Sequence, residues 1–179
     1  MKKIALLLLV IAIGLATTYG VKRYNKYYMP DTSRAGQVVK DFSLPMLLGG
    51  KSEQSSGSLT DYKGKLILLN FWASWCPPCR KEIPDFIQIQ NKYQDKGFTI
   101  LGIAIEDKAP SEAYAKKVGI NFPIFYGEDA GTEIGKRYGM IGIPYSILID
   151  QQQKIIAFYP SYQTLDESRL SNDIEKHLE

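Results

Sequence analysis

Only two cysteines occur in the chain, Cys76 and Cys79, in the run Asn70-Phe71-Trp72-Ala73-Ser74-Trp75-Cys76-Pro77-Pro78-Cys79. They follow directly on the apolar stretch Leu66-Ile67-Leu68-Leu69. A strand that ends in C-x-x-C and runs into a helix puts one sulfur at the helix N-terminus and the other one turn inside. At that terminus the first backbone N–H groups have no intrahelical partners, and the helix dipole favours negative charge. A thiolate is the form that attacks disulfides, so this position lowers the pKa of Cys76 and makes it the nucleophile. Cys79 is near enough to close an intramolecular disulfide and release what Cys76 has captured. The pair is suited to dithiol–disulfide exchange.

Other uses of the pair fit less well. A structural zinc site needs four ligands, and the chain has no third cysteine and one histidine, His177. A c-type haem site needs C-x-x-C-H, but Arg80 follows Cys79. A purely structural disulfide across so short a loop removes little entropy from the unfolded chain.

The positioning elements follow from periodicity and punctuation. Leu66 to Phe71 is apolar on both faces, as suits a strand covered by helices on both sides. A helix is expected from Cys76 to Tyr93, with Ile83, Phe86, Ile87 and Tyr93 as its apolar stripe. Pro77 is tolerated in its first turn, and Pro84 should kink its interior. Phe98 to Ile105 reads as a second buried strand. A helix opens at Pro110-Ser111-Glu112 and ends near Val118-Gly119. A short strand is expected over Asn121 to Tyr126 and a short helix over Gly131 to Tyr138. Tyr145–Asp150 and Ile155–Tyr159 read as an antiparallel hairpin. A final helix begins with the capping pattern Thr164-Leu165-Asp166-Glu167 and carries Leu170, Ile174 and Leu178 inward. Ahead of all these, Leu47 to Lys51 reads as a strand ending in a turn, and Gln54 to Gly57 as a polar loop. Strands alternating with helices, then a hairpin and a helix, make an α/β sandwich around a central mixed sheet.

From Asp41 onward the chain resembles a thioredoxin-like domain of the TlpA/ResA-like family, the membrane-associated or exported thiol–disulfide oxidoreductases. The resemblance is carried by Asp41-Phe42-Ser43-Leu44-Pro45, by Leu69 through Pro84 with the W-C-P-P-C segment, by Gly142-Ile143-Pro144, and by Ile147-Leu148-Ile149-Asp150. It implies that Pro144 is cis and packs beside the disulfide, presenting the backbone of Ile143 to an incoming peptide. Trp75, Pro77, Pro78, Ile143 and Pro144 then form the substrate surface. Thioredoxin carries a buried acid six residues before its first cysteine; Asn70 stands there and cannot exchange a proton. The resemblance places a glutamate at the end of the next strand instead. Glu106 is thereby expected to be a partly buried carboxylate of raised pKa that moves protons for the thiols. No metal, haem or nucleotide cofactor is called for.

The N-terminus reads differently from the rest of the 179 residues. After Lys2-Lys3 an uncharged stretch runs from Ile4 to Val21, closed by Lys22-Arg23. Eighteen helical residues rise about 27 Å, close to the roughly 30 Å of a bilayer core. Residues 1–21 are thus a transmembrane anchor or a cleaved signal peptide, with Gly14-Leu15-Ala16 as a small-x-small site. No cysteine lies near, so a lipoprotein anchor is excluded. Residues 22–40 read as a tether and 41–179 as the thioredoxin-like domain. Flanking charges give no vote on orientation; the short basic N-terminus and the resemblance both place the redox domain outside the cytoplasm. The net charge of +3 is small and its basic residues are scattered, which gives no support to nucleic-acid binding.

The expected activity is reduction of disulfides in partner proteins, followed by re-reduction from a membrane thiol–disulfide donor. Two prolines between the cysteines offer the thiolate no side-chain donor, which disfavours an oxidant. Three other readings stand beside it. A peroxiredoxin would need Thr where Ala73 stands. A cytochrome c maturation reductase is open, although Pro144-Tyr145 departs from the Pro-Glu of its proteobacterial branch. A membrane-tethered binding domain with a structural disulfide is the non-enzymatic reading.

Overall fold

The strand ahead of the cysteines forms from Leu66 to Trp72, with every side chain buried. A strand buried on both faces needs helices above and below it. The computed structural model, which describes residues 14–18, 32–49, 55–160, 165 and 167–178, supplies them. Its elements are β1 (Ser43–Leu48), β2 (Ser56–Ser58), β3 (Leu66–Trp72), α1 (Pro77–Tyr93), β4 (Phe98–Ala104), α2 (Lys108–Val118), β5 (Ile124–Tyr126), α3 (Glu128–Arg137), β6 (Tyr145–Ile149), β7 (Ile155–Tyr159) and α4 (Glu167–Leu178). The sheet order is β2-β1-β5-β4-β3-β6-β7. Strands β3, β4 and β5 run parallel, and the remaining pairs are antiparallel. This mixed sheet between helices is the thioredoxin-like α/β sandwich.

Alternation along β3 divides the core. Leu66 and Leu68 face Ile83 and Phe86 of α1 and Leu170 and Ile174 of α4. Ile67, Leu69 and Phe71 face the other way, toward Ile134 of α3 and toward Val39 and Phe42. One buried strand is therefore shared by two hydrophobic layers, and its C-terminal end delivers the cysteine turn at a fixed place.

Several boundaries shift, each for a local reason. The strand expected over Leu47–Lys51 starts earlier, at Ser43, and its far end at Lys51 lies outside the described residues. The polar loop expected to end at Gly57 is instead edge strand β2, with Gly57 opposite Leu44. Ladder pairing holds this strand, and a Cβ on Gly57 would press on the Met46 side chain and the Phe125 ring. Helix α2 begins at Lys108 behind Asp107 as N-cap, and α3 at Glu128 behind Gly127. Strand β5 is confined to Ile124–Tyr126. Pro84 does lie within α1. Thr164 and Asp166 of the pattern Thr164–Glu167 lie outside the described residues.

Residues 36–39, the end of the expected tether, are bonded to the domain. Gly36 donates to Ile155 O, Ile155 N to Gln37 O, and Val39 N to Gln153 O. Val39 is buried, so the chain joins the domain before residue 41. Arg34 also donates to the Arg137 carbonyl at the end of α3. These are mostly backbone bonds, which hydropathy does not reveal. Of the segment 1–21 the description covers 14–18, which are helical; the remainder lies outside the described residues. Among the described residues no helix is long and apolar enough to cross a membrane.

Candidate active site: the dithiol turn

Trp72 ends β3, and three residues later the chain turns into α1. Cys76 is the N-cap of α1, with Pro77 and Pro78 in the first turn, where missing N–H groups cost no helical bonds. Its Sγ accepts from Cys79 N at 3.3 Å. The two cysteines form a disulfide with their Cα atoms 5.3 Å apart. Cys76 therefore occupies the terminus expected from the motif. It is less open than a bare helix end would be, at 3% exposure against 0% for Cys79. The difference in reactivity must then come chiefly from the N-cap position rather than from accessibility. In the reduced full chain, iodoacetamide at neutral pH should modify Cys76 about tenfold or more faster than Cys79. Mass-spectrometric mapping that found equal rates would remove Cys76 from the nucleophile's role.

The acid on the Cys79 face of α1 is Glu82, which is not among the residues expected from the sequence. Residues three apart on a helix are neighbours, so Glu82 lies one turn along from Cys79. Glu82 is 2% exposed, and its Oε1 accepts from Asn70 Nδ2 at 2.9 Å. Asn70 Nδ2 also donates to Ser146 Oγ at 2.9 Å. Burial pushes the Glu82 carboxyl up to about 8, with the Asn70 bond opposing and Asp85 adding to the rise. A group with such a pKa changes protonation near neutral pH, where thiol exchange operates. The buried acid that Asn70 cannot supply from β3 is supplied from the helix across from it. The C-x-x-C-x-x-E spacing was the available signal.

Glu106, the acid expected to move protons, is buried at the end of β4. Both its oxygens are occupied. Oε1 accepts from Ser74 N at 2.6 Å and Ser111 Oγ at 3.0 Å, and Oε2 accepts from Ser74 Oγ at 2.8 Å. Trp72 is core, 1% exposed, whereas Trp75 is 65% exposed. Trp75 forms one wall of a groove of about 590 Å³ that also includes Ile105, Ile141, Ile143 and Lys136. The Ile143–Pro144 bond is cis. Pro77 and Pro78 flank the sulfurs at the surface, and Arg80 stacks its guanidinium 5.5 Å from the Tyr114 ring centre. His177 is remote from the site, with Nδ1 bonded to Asp173 O at 2.7 Å. Among the described residues, no cluster of three or more His, Cys, Asp or Glu is arranged to hold a metal ion.

Comparison with known proteins agrees with this geometry. Residues 35–158 match the AhpC/TSA family. The thiol-disulfide oxidoreductase ResA of Bacillus cereus is 35% identical over 170 residues, covering 93% of this chain and 94% of that protein. The thioredoxin-like protein YneN of Bacillus subtilis is 31% identical over 179 residues, covering 97% and 98%. The crystal structure of the thioredoxin domain of a Bacteroides vulgatus thiol-disulfide oxidoreductase superposes with a TM-score of 0.70 at 28% identity, over 81% of this chain and 98% of that one. With its paired cysteines at a helix N-terminus and a ResA-like sequence along nearly its whole length, the chain belongs to the AhpC/TSA family as a ResA-type thiol–disulfide oxidoreductase.

Proposed function

We propose that the chain reduces disulfides of partner proteins outside the cytoplasm, held at the membrane or exported by residues 1–21, and is itself re-reduced by a membrane thiol–disulfide donor. The observation that carries the chemistry is the Cys76–Cys79 pair at the start of α1, one turn from buried Glu82. The Cys76 thiolate attacks one sulfur of the substrate disulfide; an S–S bond forms to Cys76, and the first substrate sulfur leaves as a thiolate that takes up a proton. In molecules whose Glu82 is ionised, Cys79 then loses its proton to that carboxylate and attacks the Cys76 sulfur. The second substrate thiol departs, and the enzyme is left oxidised. The donor returns two electrons and reopens the pair.

The extracytoplasmic placement is supported by the apolar stretch Ile4–Val21 behind a short basic start. An apocytochrome is one member of the substrate class, and Pro144-Tyr145 is compatible with it outside the proteobacterial pattern. A peroxidase role is disfavoured by Ala73 at the position that would need Thr. The test uses the full chain, pre-reduced, with insulin and with hydrogen peroxide as alternative oxidants. Stoichiometric insulin reduction with negligible peroxide consumption is expected; rapid peroxide turnover would overturn the reductase reading. Labelling of reduced Cys76 in intact cells by a membrane-impermeant maleimide is expected, and protection until the membrane is broken would overturn the placement.

A further inference from the structure

Glu106 lies at the end of β4, where it bridges two segments that would otherwise be independent. One is the turn Ala73–Trp75 leading into Cys76; the other is the start of α2, reached through Ser111. Ser111 is fully buried and shares its one hydroxyl proton between Glu106 Oε1 and Asp107 O, both at 3.0 Å. Ser74 gives Glu106 two donors, its backbone N–H and its hydroxyl. The residue after Ser74 is Trp75, and the residue before Glu106 is Ile105. Those two are walls of the same groove. The bridge and the groove wall are thus adjacent in both chain segments. Trp75 is 65% exposed, so packing holds it only in part.

We propose that Glu106 is a positioning residue that fixes the Trp75 wall of the groove against Ile105 and so sets binding of an extended disulfide-bearing segment. This rests on the reductase reading and names what part of that site selects macromolecular substrates. Ser74 gives Glu106 both of the hydrogen bonds that tie down the turn, and a turn that loses both loses its single arrangement. Substrates that touch only the sulfurs need no groove wall. Substrates that lie along Trp75, Ile141 and Ile143 do need it.

The test compares full-length wild type, Glu106→Leu, Glu106→Gln and Ser74→Ala on two probes, insulin and hydroxyethyl disulfide. For Glu106→Leu, the KM for insulin should rise about tenfold or more while kcat stays within about twofold. The rate with hydroxyethyl disulfide should fall much less. Glu106→Gln keeps one acceptor oxygen and should rescue part of the KM. Ser74→Ala loses only the hydroxyl bond and should give a smaller rise of the same kind, which keeps the test open if Glu106→Leu does not fold. Equal loss on both probes, or an unchanged KM with a displaced pH profile, would overturn the proposal; the second result would make Glu106 a proton carrier instead. Wild type inert toward both probes would overturn the reductase reading and this proposal with it, whereas active wild type with an unaffected Glu106 series overturns this proposal alone.

Discussion

Cys79→Ser is expected to accumulate a covalent complex between Cys76 and its partner protein, because the sulfur that should release the partner is gone. Cys76 can still attack from the N-cap of α1, where the helix terminus stabilises its thiolate. Cys76→Ser should instead lower disulfide reduction by roughly a thousandfold or more, since a serine hydroxyl is not ionised at neutral pH and nothing beside it acts as its base. Non-reducing gels of membranes from cells expressing the full chain would show the Cys79→Ser adducts, and mass spectrometry would name the trapped proteins. No adduct with Cys79→Ser, combined with undiminished activity in Cys76→Ser, would reverse the assignment of attacking and resolving sulfurs. Full activity in both variants would leave the disulfide with a structural role only.

Glu82→Gln should alter both the pH dependence of stability and the resolving step. Burial holds the folded carboxyl at about 8 against an ordinary value of 4.5. Between those two values the folded protein binds the proton and the unfolded chain does not. Stability therefore falls as pH rises from about 4.5 toward 8, and levels off above that, with a slope of at most about 1.4 kcal/mol per pH unit from this one group. Gln keeps an oxygen for Asn70 Nδ2 but cannot ionise, so the slope should flatten in that window. Denaturant melts of the oxidised protein at a series of pH values measure it directly. Identical slopes in wild type and Glu82→Gln would mean that Glu82 is ionised in the fold. In exchange kinetics, loss of the proton acceptor should slow Cys79's attack about tenfold or more and remove the corresponding inflection from the pH–rate profile. An unchanged profile would take Glu82 out of the mechanism, whatever its burial.

The site was unevenly legible in the sequence. C-x-x-C behind an apolar strand marks a local arrangement, strand to turn to helix N-terminus, and such arrangements follow from residues adjacent in the chain. For the same reason β3, α1, β4 and the β6–β7 hairpin fall close to their expected limits. Glu106 and Glu82 show where this stops. Both are carboxylates within reach of the cysteine turn, and resemblance favoured Glu106 at its strand end. The structure gives Glu106 three donors from Ser74 and Ser111. It gives Glu82 one amide and a burial cost instead. Solvation and partner geometry, rather than residue type, separate the two.

Hydropathy also misplaced the N-terminal edge of the domain. Residues 34–39 are mostly polar or small, yet they are held by backbone bonds to Gln153 and Ile155. Backbone pairing carries no side-chain signature, and β2 escaped notice on the same ground. What the sequence determined by itself is the chemistry, because two sulfurs three positions apart at a strand–helix junction have one reactive order imposed by the helix terminus. What only the tertiary structure decided is which acid serves them and what surface a partner meets. Those depend on β3 bringing Asn70 beside Glu82, on β4 bringing Glu106 to Ser74, and on α3 and the Pro144 loop closing a groove against Trp75. The two hydrogen-bonded contacts join residues 12 and 32 positions apart, and no local periodicity encodes their meeting.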